Sequence, residues 1–257
     1  MKKKKIKKYK LRRGIYILPN IFTTMNLFCG FYAVIASLDG NYYNASLAII
    51  IAAVFDTLDG KIARATRTSS RFGVEYDSLA DVMSFGLAPA ILMYLWALKP
   101  FGRIGWLAAF LFLVCGALRL ARFNTRVDEI PSDYFQGLPI PAGAAMNATT
   151  VLFCHRLNIS GNMYPVVILV LLYILSFLMV STIKYNSFKK PELFRKINFN
   201  VLVTCILIFI FIAALPSIAL FLLSLLYVGS GPFNMFRLIG KPNPENTETE
   251  TQEEVVQ

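Results

Sequence analysis

Histidine is nearly absent from this chain of 257 residues, which has one, His155, together with four cysteines. Cys29, Cys115, Cys154 and Cys205 are scattered through apolar segments with no Cys-x-x-Cys spacing. A zinc site or a disulfide framework therefore has no support, and buried free thiols are the expectation. Acidic residues are also scarce, 15 Asp and Glu against 26 Lys and Arg. No internal repeat and no soluble block interrupt the chain, so one domain is expected. The basic start, Met1-Lys2-Lys3-Lys4-Lys5 followed by Lys7, Lys8, Lys10, Arg12 and Arg13, has no small-residue cleavage site after the first apolar stretch and is taken as a retained anchor. It has no accompanying nucleic-acid fold signature either, so no nucleic-acid partner is expected. Anionic lipid headgroups and positive-inside topogenesis account for it instead.

What the chain does have is apolar length. Hydrophobic residues make up 56% of it and the net charge is +11, with a mean hydropathy of +0.56. These values describe a multi-pass integral membrane protein with basic edges. Runs approaching the ~20 residues of a spanning helix occur at about 18–38, 45–63, 79–97, 104–122, 139–157 and 164–183. The stretch 199–228 is broken by Leu215-Pro216-Ser217, which predicts a tight helical hairpin, with one kinked helix as the competing reading. The expected fold is all-α, a polytopic transmembrane bundle of about eight helices with both ends in the cytoplasm. The basic segments at Arg64 to Arg71, Arg119 to Arg126, Lys184 to Lys196, and Arg237 with Lys241 then share the cytoplasmic side. Residues 1–240, including a basic N-terminal segment 1–14, are expected to form the membrane-embedded catalytic domain. The Glu/Thr/Gln-rich end, 241–257, is expected to be a disordered acidic tail.

Against this background four carboxylates stand out. Asp56-x-x-Asp59-Gly60-x-x-Ala63-Arg64 is followed, after eight intervening residues, by Gly73-x-x-x-Asp77-x-x-x-Asp81. Asp56 and Asp59 are i,i+3 and Asp77 and Asp81 are i,i+4, so each pair lies on one face of its own helix. Ionised groups near hydrocarbon cost about 2.5–3.5 kcal/mol each on insertion scales. Hard oxygen donors in such a cluster suit Mg²⁺ or Mn²⁺. Gly60 and Gly73 remove bulk where a ligand or the opposing backbone would approach. Arg64 can offer planar donors to phosphate oxygens.

The pattern D-x-x-D-G-x-x-A-R-x8-G-x-x-x-D-x-x-x-D, complete here, resembles the signature of the CDP-alcohol phosphatidyltransferases. The resemblance implies that Asp56, Asp59 and Asp77 hold divalent metal and that Asp81 both holds metal and serves as general base. It implies that Gly60, Ala63, Arg64 and Gly73 line a CDP site. Direct displacement of CMP by an alcohol, without a covalent enzyme intermediate, is the implied reaction. A phospholipase D-like route would need paired His-x-Lys motifs, and His155 stands alone.

Flanking segments narrow the acceptor. Leu18-Pro19-Asn20-Ile21-Phe22-Thr23-Thr24-Met25-Asn26 through Gly30, Ala117-Leu118-Arg119-Leu120-Ala121-Arg122-Phe123-Asn124, and Phe135 through Gly143 resemble the serine-accepting branch of that family. CDP-diacylglycerol and L-serine are the implied substrates, with phosphatidylserine and CMP as products. Asn20, Thr23 and Asn26 could face the nucleotide pocket, or serve helix packing and capping. Arg119, Arg122 and Asn124 could bind the serine carboxylate or the lipid-side phosphate, while snorkelling and topogenic charge is the plainer reading of the arginines. The same chemistry on glycerol 3-phosphate or an inositol compound is the first alternative, and a divalent-cation transporter is an alternative of another class. A homodimer is expected only by analogy.

Overall fold

The computed structural model describes residues 17–66, 70–126, 134–186 and 199–239. The basic segment 1–14, the tail 241–257 and Lys189, Lys190, Arg195 and Lys196 of the last basic loop lie outside the described residues.

Helix α1 (Ile17–Leu38) turns at Gly40, whose φ is 75°, into α2 (Tyr42–Thr66). The two helices pack along each other. At 1.5 Å per residue, the 22 residues of α1 reach about 33 Å, close to the ~30 Å hydrocarbon thickness of a bilayer. Ser70 then caps α3 (Arg71–Asp81), its Oγ accepting from the Gly73 N–H at 3.0 Å. The chain continues unbroken through a π-helical turn (Val82–Leu87), α4 (Ala88–Met93), a second π turn (Tyr94–Leu98) and a 3-10 turn (Lys99–Phe101). After Gly102 come α5 (Arg103–Arg126), α6 (Ile140–Arg156), α7 (Pro165–Val180), α8 (Phe199–Ala214) and α9 (Pro216–Ile239). Counting Arg71–Phe101 once, eight helices stand among the described residues, as expected.

Among the described residues, four stretches are long and apolar enough to span a bilayer: Leu18–Leu38, Arg71–Phe101, Arg103–Thr125 and Pro216–Phe233. Large apolar side chains such as Phe28, Phe31, Phe177 and Leu226 point outward, each more than half exposed. Such a surface suits lipid rather than water, and the chain is an integral membrane protein. Inside, small residues let backbones approach: Ala33, Ala45, Ala52, Ala80, Ala88 and Ala97 are fully buried. The helices α1, α2, α6 and α9 pack in sequence, while α5 packs on α7 and the run from α3 to α4 lies against α1.

The differences from expectation have local causes. The third helix begins at Arg71 rather than near residue 79, because the Ser70 cap starts it before the apolar stretch. The sixth apolar run stops being helical at Val180, where Ser181 turns extended. The chain then pairs β2 (Lys184–Asn186) antiparallel with β1 (Tyr134–Gln136), with Phe135 opposite Tyr185. These three-residue strands are too short to carry a sequence period. The N–H groups of Gly137 and Leu138 donate to Ile183 and Leu178 carbonyls, both at 2.9 Å. The segment Gly137-Leu138-Pro139-Ile140-Pro141, which leads into α6, is thereby clamped to the end of α7. Leu215 alone separates α8 from α9, and Pro216 opens the second helix.

Candidate active site

The last turns of α2 carry Asp56 and Asp59, and α3 presents Asp77 and Asp81 to them. Carboxylate oxygens of Asp56, Asp59 and Asp77 all lie within 4.8 Å of one another. Oxygens on opposite sides of a Mg²⁺-sized ion stand about 4 Å apart, so the three groups suit a divalent cation with little adjustment. One Asp77 oxygen, Oδ1, is buried with no hydrogen-bond partner among the described residues. A buried anionic oxygen left so is what a cation would satisfy. Asp81, one turn further along and 8% exposed, stands within electrostatic reach of Asp56 and Asp77.

Helix α1 supports the carboxylates from behind. Thr23 Oγ1 donates to Asp59 Oδ2 at 2.9 Å, and Asn26 Nδ2 donates to Asp81 Oδ1 at 3.2 Å. Both residues are buried. Ser84, in the π turn just after Asp81, donates through Oγ to the Asn26 carbonyl at 3.0 Å. Thr23 and Asn26 thus serve the carboxylates directly.

The Gly60, Ala63 and Arg64 face of α2 continues from the cluster toward the helix end. A Cβ on Gly60 would meet only the Arg64 guanidinium, at 3.8 Å, and Arg64 is exposed. That surface is open to a ligand. Gly73 differs: a Cβ there would lie 3.2 Å from Ser70 Oγ and 3.4 Å from Asn20 Oδ1. Its missing side chain makes room for Asn20 at the rim of the site.

The three candidates on α5 separate. Asn124 donates to Ser78 Oγ at 2.8 Å, joining α5 to α3 at the level of the aspartates. Arg122 instead donates to the Val180 carbonyl at 3.3 Å, at the C-terminus of α7. Arg119 lies within electrostatic reach of Asp81 and of Tyr227 on α9. His155, by contrast, packs its ring against Tyr43, with centroids 4.9 Å apart. Tyr43 precedes Asp56 by thirteen helical residues, about 20 Å along α2, so His155 is remote from the site.

The sequence that builds this cluster matches known proteins. The family model described as CDP-alcohol phosphatidyltransferase matches residues 16–180. The chain belongs to that family. Its curated relatives include a "CDP-diacylglycerol–serine O-phosphatidyltransferase" of Helicobacter pylori (strain ATCC 700392 / 26695), 36% identical over 208 residues, which cover 81% of this chain and 87% of that one. Proteins of the same description from Methanocaldococcus jannaschii and Bacillus subtilis (strain 168) are 37% and 36% identical. The matches cover 68% and 67% of this chain and 77% and 92% of theirs.

Within this CDP-alcohol phosphatidyltransferase, several site neighbours had no local signal. Ser84 and the π turn that carries it look like ordinary membrane-helix sequence, and Ser78 is one serine among many. Tyr227 lies beyond the family-matched region in a segment of Leu and Phe. Asn26 does stand out in the polar spacing of the first helix, as a candidate for the nucleotide pocket, but its partner Asp81 is 55 residues away.

Proposed function

We propose that this CDP-alcohol phosphatidyltransferase transfers the phosphatidyl group of CDP-diacylglycerol to L-serine, giving phosphatidylserine and CMP, at the cytoplasmic face of the membrane. The observation that carries the reading is the three-carboxylate cluster with Asp81 buried beside it. The activity named for the relatives supports the choice of substrates. Arg64 in the last turn of α2 and Arg71 at the start of α3 flank the two helix segments that carry the cluster, which supports the cytoplasmic side by the positive-inside rule.

Asp56, Asp59 and Asp77, with Asp81, would hold Mg²⁺ or Mn²⁺. When bound, the metal neutralises charge on the diphosphate and on the departing CMP. The chain's own residues do the rest. Arg64 takes the nucleotide phosphates on the open face beside Gly60 and Ala63, and Asn20 with Gly73 borders it. Arg119 draws the serine carboxylate toward Asp81. Asp81, oriented by Asn26, accepts the proton of the serine hydroxyl as its oxygen attacks the lipid-bearing phosphorus. The bond from that phosphorus to CMP breaks, and CMP leaves with the electron pair. Asn124 keeps α5 against α3, and Arg122 keeps it against α7. Residues 1–240 act as one catalytic unit, and a homodimer is part of this reading, supported by the broad apolar outer faces available for helix association.

The test is product identification by mass spectrometry from purified protein given CDP-diacylglycerol, Mg²⁺ or Mn²⁺, and serine or glycerol 3-phosphate in parallel. Metal-dependent phosphatidylserine and CMP are expected, reduced about 10²–10⁴-fold by Asp81→Asn. Product from glycerol 3-phosphate alone would replace the acceptor, and no CMP with either alcohol would overturn the reading.

A further inference from the structure

Several buried hydroxyls of the bundle bond within their own helices. Ser37, Ser46, Thr150 and Ser176 each donate to the carbonyl four residues earlier, at 2.7 or 2.8 Å, which satisfies a hydroxyl inside a helix without outside help. Asn147 differs. It is fully buried in the middle of α6, and neither its Nδ2 nor its Oδ1 has a hydrogen-bond partner among the described residues. A donor and an acceptor are left unmade together, and buried groups in this condition are the ones that internal water completes.

The turn before Asn147 fixes what it faces. A Cβ on Gly143 would lie 3.5 Å from the Phe112 ring of α5 and 3.6 Å from Met179 Sδ of α7. Asn147, four residues on, projects from the same face of α6. The hairpin of α6 and α7 is antiparallel, and the Leu138 N–H at the foot of α6 donates to the Leu178 carbonyl near the end of α7. One turn along α6, from Gly143 to Asn147, is therefore matched by one turn back along α7, from Met179 to Ser176. Ser176 is fully buried, and its hydroxyl, whose one proton goes to the Leu172 carbonyl, keeps lone pairs free to accept. The same step back along α5 from Phe112 reaches Ala108 and Ala109, both buried and presenting only methyl groups.

We propose that Asn147 and Ser176 form an internal hydration site between α6, α7 and α5, where bound water accepts from Asn147 Nδ2 and donates to Asn147 Oδ1 and Ser176 Oγ. The inference does not depend on which alcohol is the acceptor. The site is separate from the aspartates. Ile140, seven residues and about 10 Å before Asn147 on the same face of α6, is fully buried. Its Cδ1 occupies the space beside Gly86 of the π turn and Gly116 of α5. That side chain stands between the hydration site and the end of the bundle that carries Asp81. The separation matters because an activated phosphatidyl group is open to attack by water as well as by an alcohol.

The test is radiolytic hydroxyl-radical labelling of the full chain in lipid nanodiscs, read residue by residue by mass spectrometry. Radicals made in bulk water do not enter a closed interior, so a buried side chain is oxidised only where bound water generates the radical beside it. Phe112 and Met179, 0% and 1% exposed, are expected to be labelled in the wild type. Labelling at both is expected to be lost in Asn147→Leu, which fills a similar volume without a polar atom. Ser176→Ala removes a single hydroxyl and is expected to weaken labelling at both residues; it decides the matter where Asn147→Leu does not fold. Wild-type protein with neither residue labelled, or variants labelled as strongly as the wild type, overturns the proposal. CMP release by Ser176→Ala is expected to equal that of the wild type, and its loss at an unchanged melting temperature overturns the separation by Ile140. Wild-type CMP release, measured on the same preparation, reports on phosphatidyl transfer independently of the labelling.

Discussion

Thr23 and Asp59 show how much depends on single atoms here. The Thr23 hydroxyl donates to Asp59 Oδ2 while also lying 3.2 Å from the Pro19 carbonyl, so it can satisfy only one acceptor at a time. Groups that orient metal-binding carboxylates typically contribute 10–100-fold to metal affinity. Thr23→Val keeps the shape and removes the donor. The half-maximal Mg²⁺ or Mn²⁺ concentration for CMP release is expected to rise about 10–100-fold, with most of the rate recovered at saturating metal. An unchanged metal titration would remove Thr23 from that supporting role. Thr23 was legible as a polar residue in a spanning helix, but its partner, 36 residues away, was not.

The run from α3 to α4 owes its shape to the π turn Val82–Leu87. A π turn holds one more residue than an α turn, which shifts the register of the helix beyond it and often marks a functional segment. Here it brings Ser84 against α1, so close that a Cβ on Gly30 would lie 2.6 Å from Ser84 Cα. Helix propensity alone says that Gly30→Ala should stabilise α1 by about 1 kcal/mol. Overpacking says the opposite, a loss of about 1–3 kcal/mol. The backbone contact decides for the second. Gly30→Ala is expected to lower the melting temperature in detergent and to reduce CMP release, since Asn26 and Ser84 flank that contact and orient Asp81. A higher melting temperature would show that α1 and the π turn can separate freely.

The bundle as a whole places its chemistry at one end. The aspartates lie near the ends of α2 and α3, while His155 and Tyr43 mark the opposite level. The protein works on a lipid whose nucleotide headgroup must meet a water-soluble acceptor, so a site at the membrane surface rather than its centre is required. Sealed inside-out vesicles given external serine and Mg²⁺ are expected to form phosphatidylserine at once. Right-side-out vesicles are expected to need permeabilisation first. The reverse order would place the aspartates outside and overturn the orientation drawn from the basic loops.

Apolar run length and the i,i+3 and i,i+4 spacing of the aspartates were enough to obtain the membrane bundle, its eight helices and the four carboxylates, because hydrophobic thickness and helix periodicity are local properties. The break before Pro216 and the helix start at Pro139 were legible for the same reason. Contacts between distant segments were not. Thr23 with Asp59, Asn26 with Asp81, the division of Asn124 from Arg122 and the β1–β2 pair all depend on how helices rotate and cross. Packing of small residues such as Gly30 and the buried alanines sets those rotations, and that is a property of two surfaces meeting rather than of either segment alone.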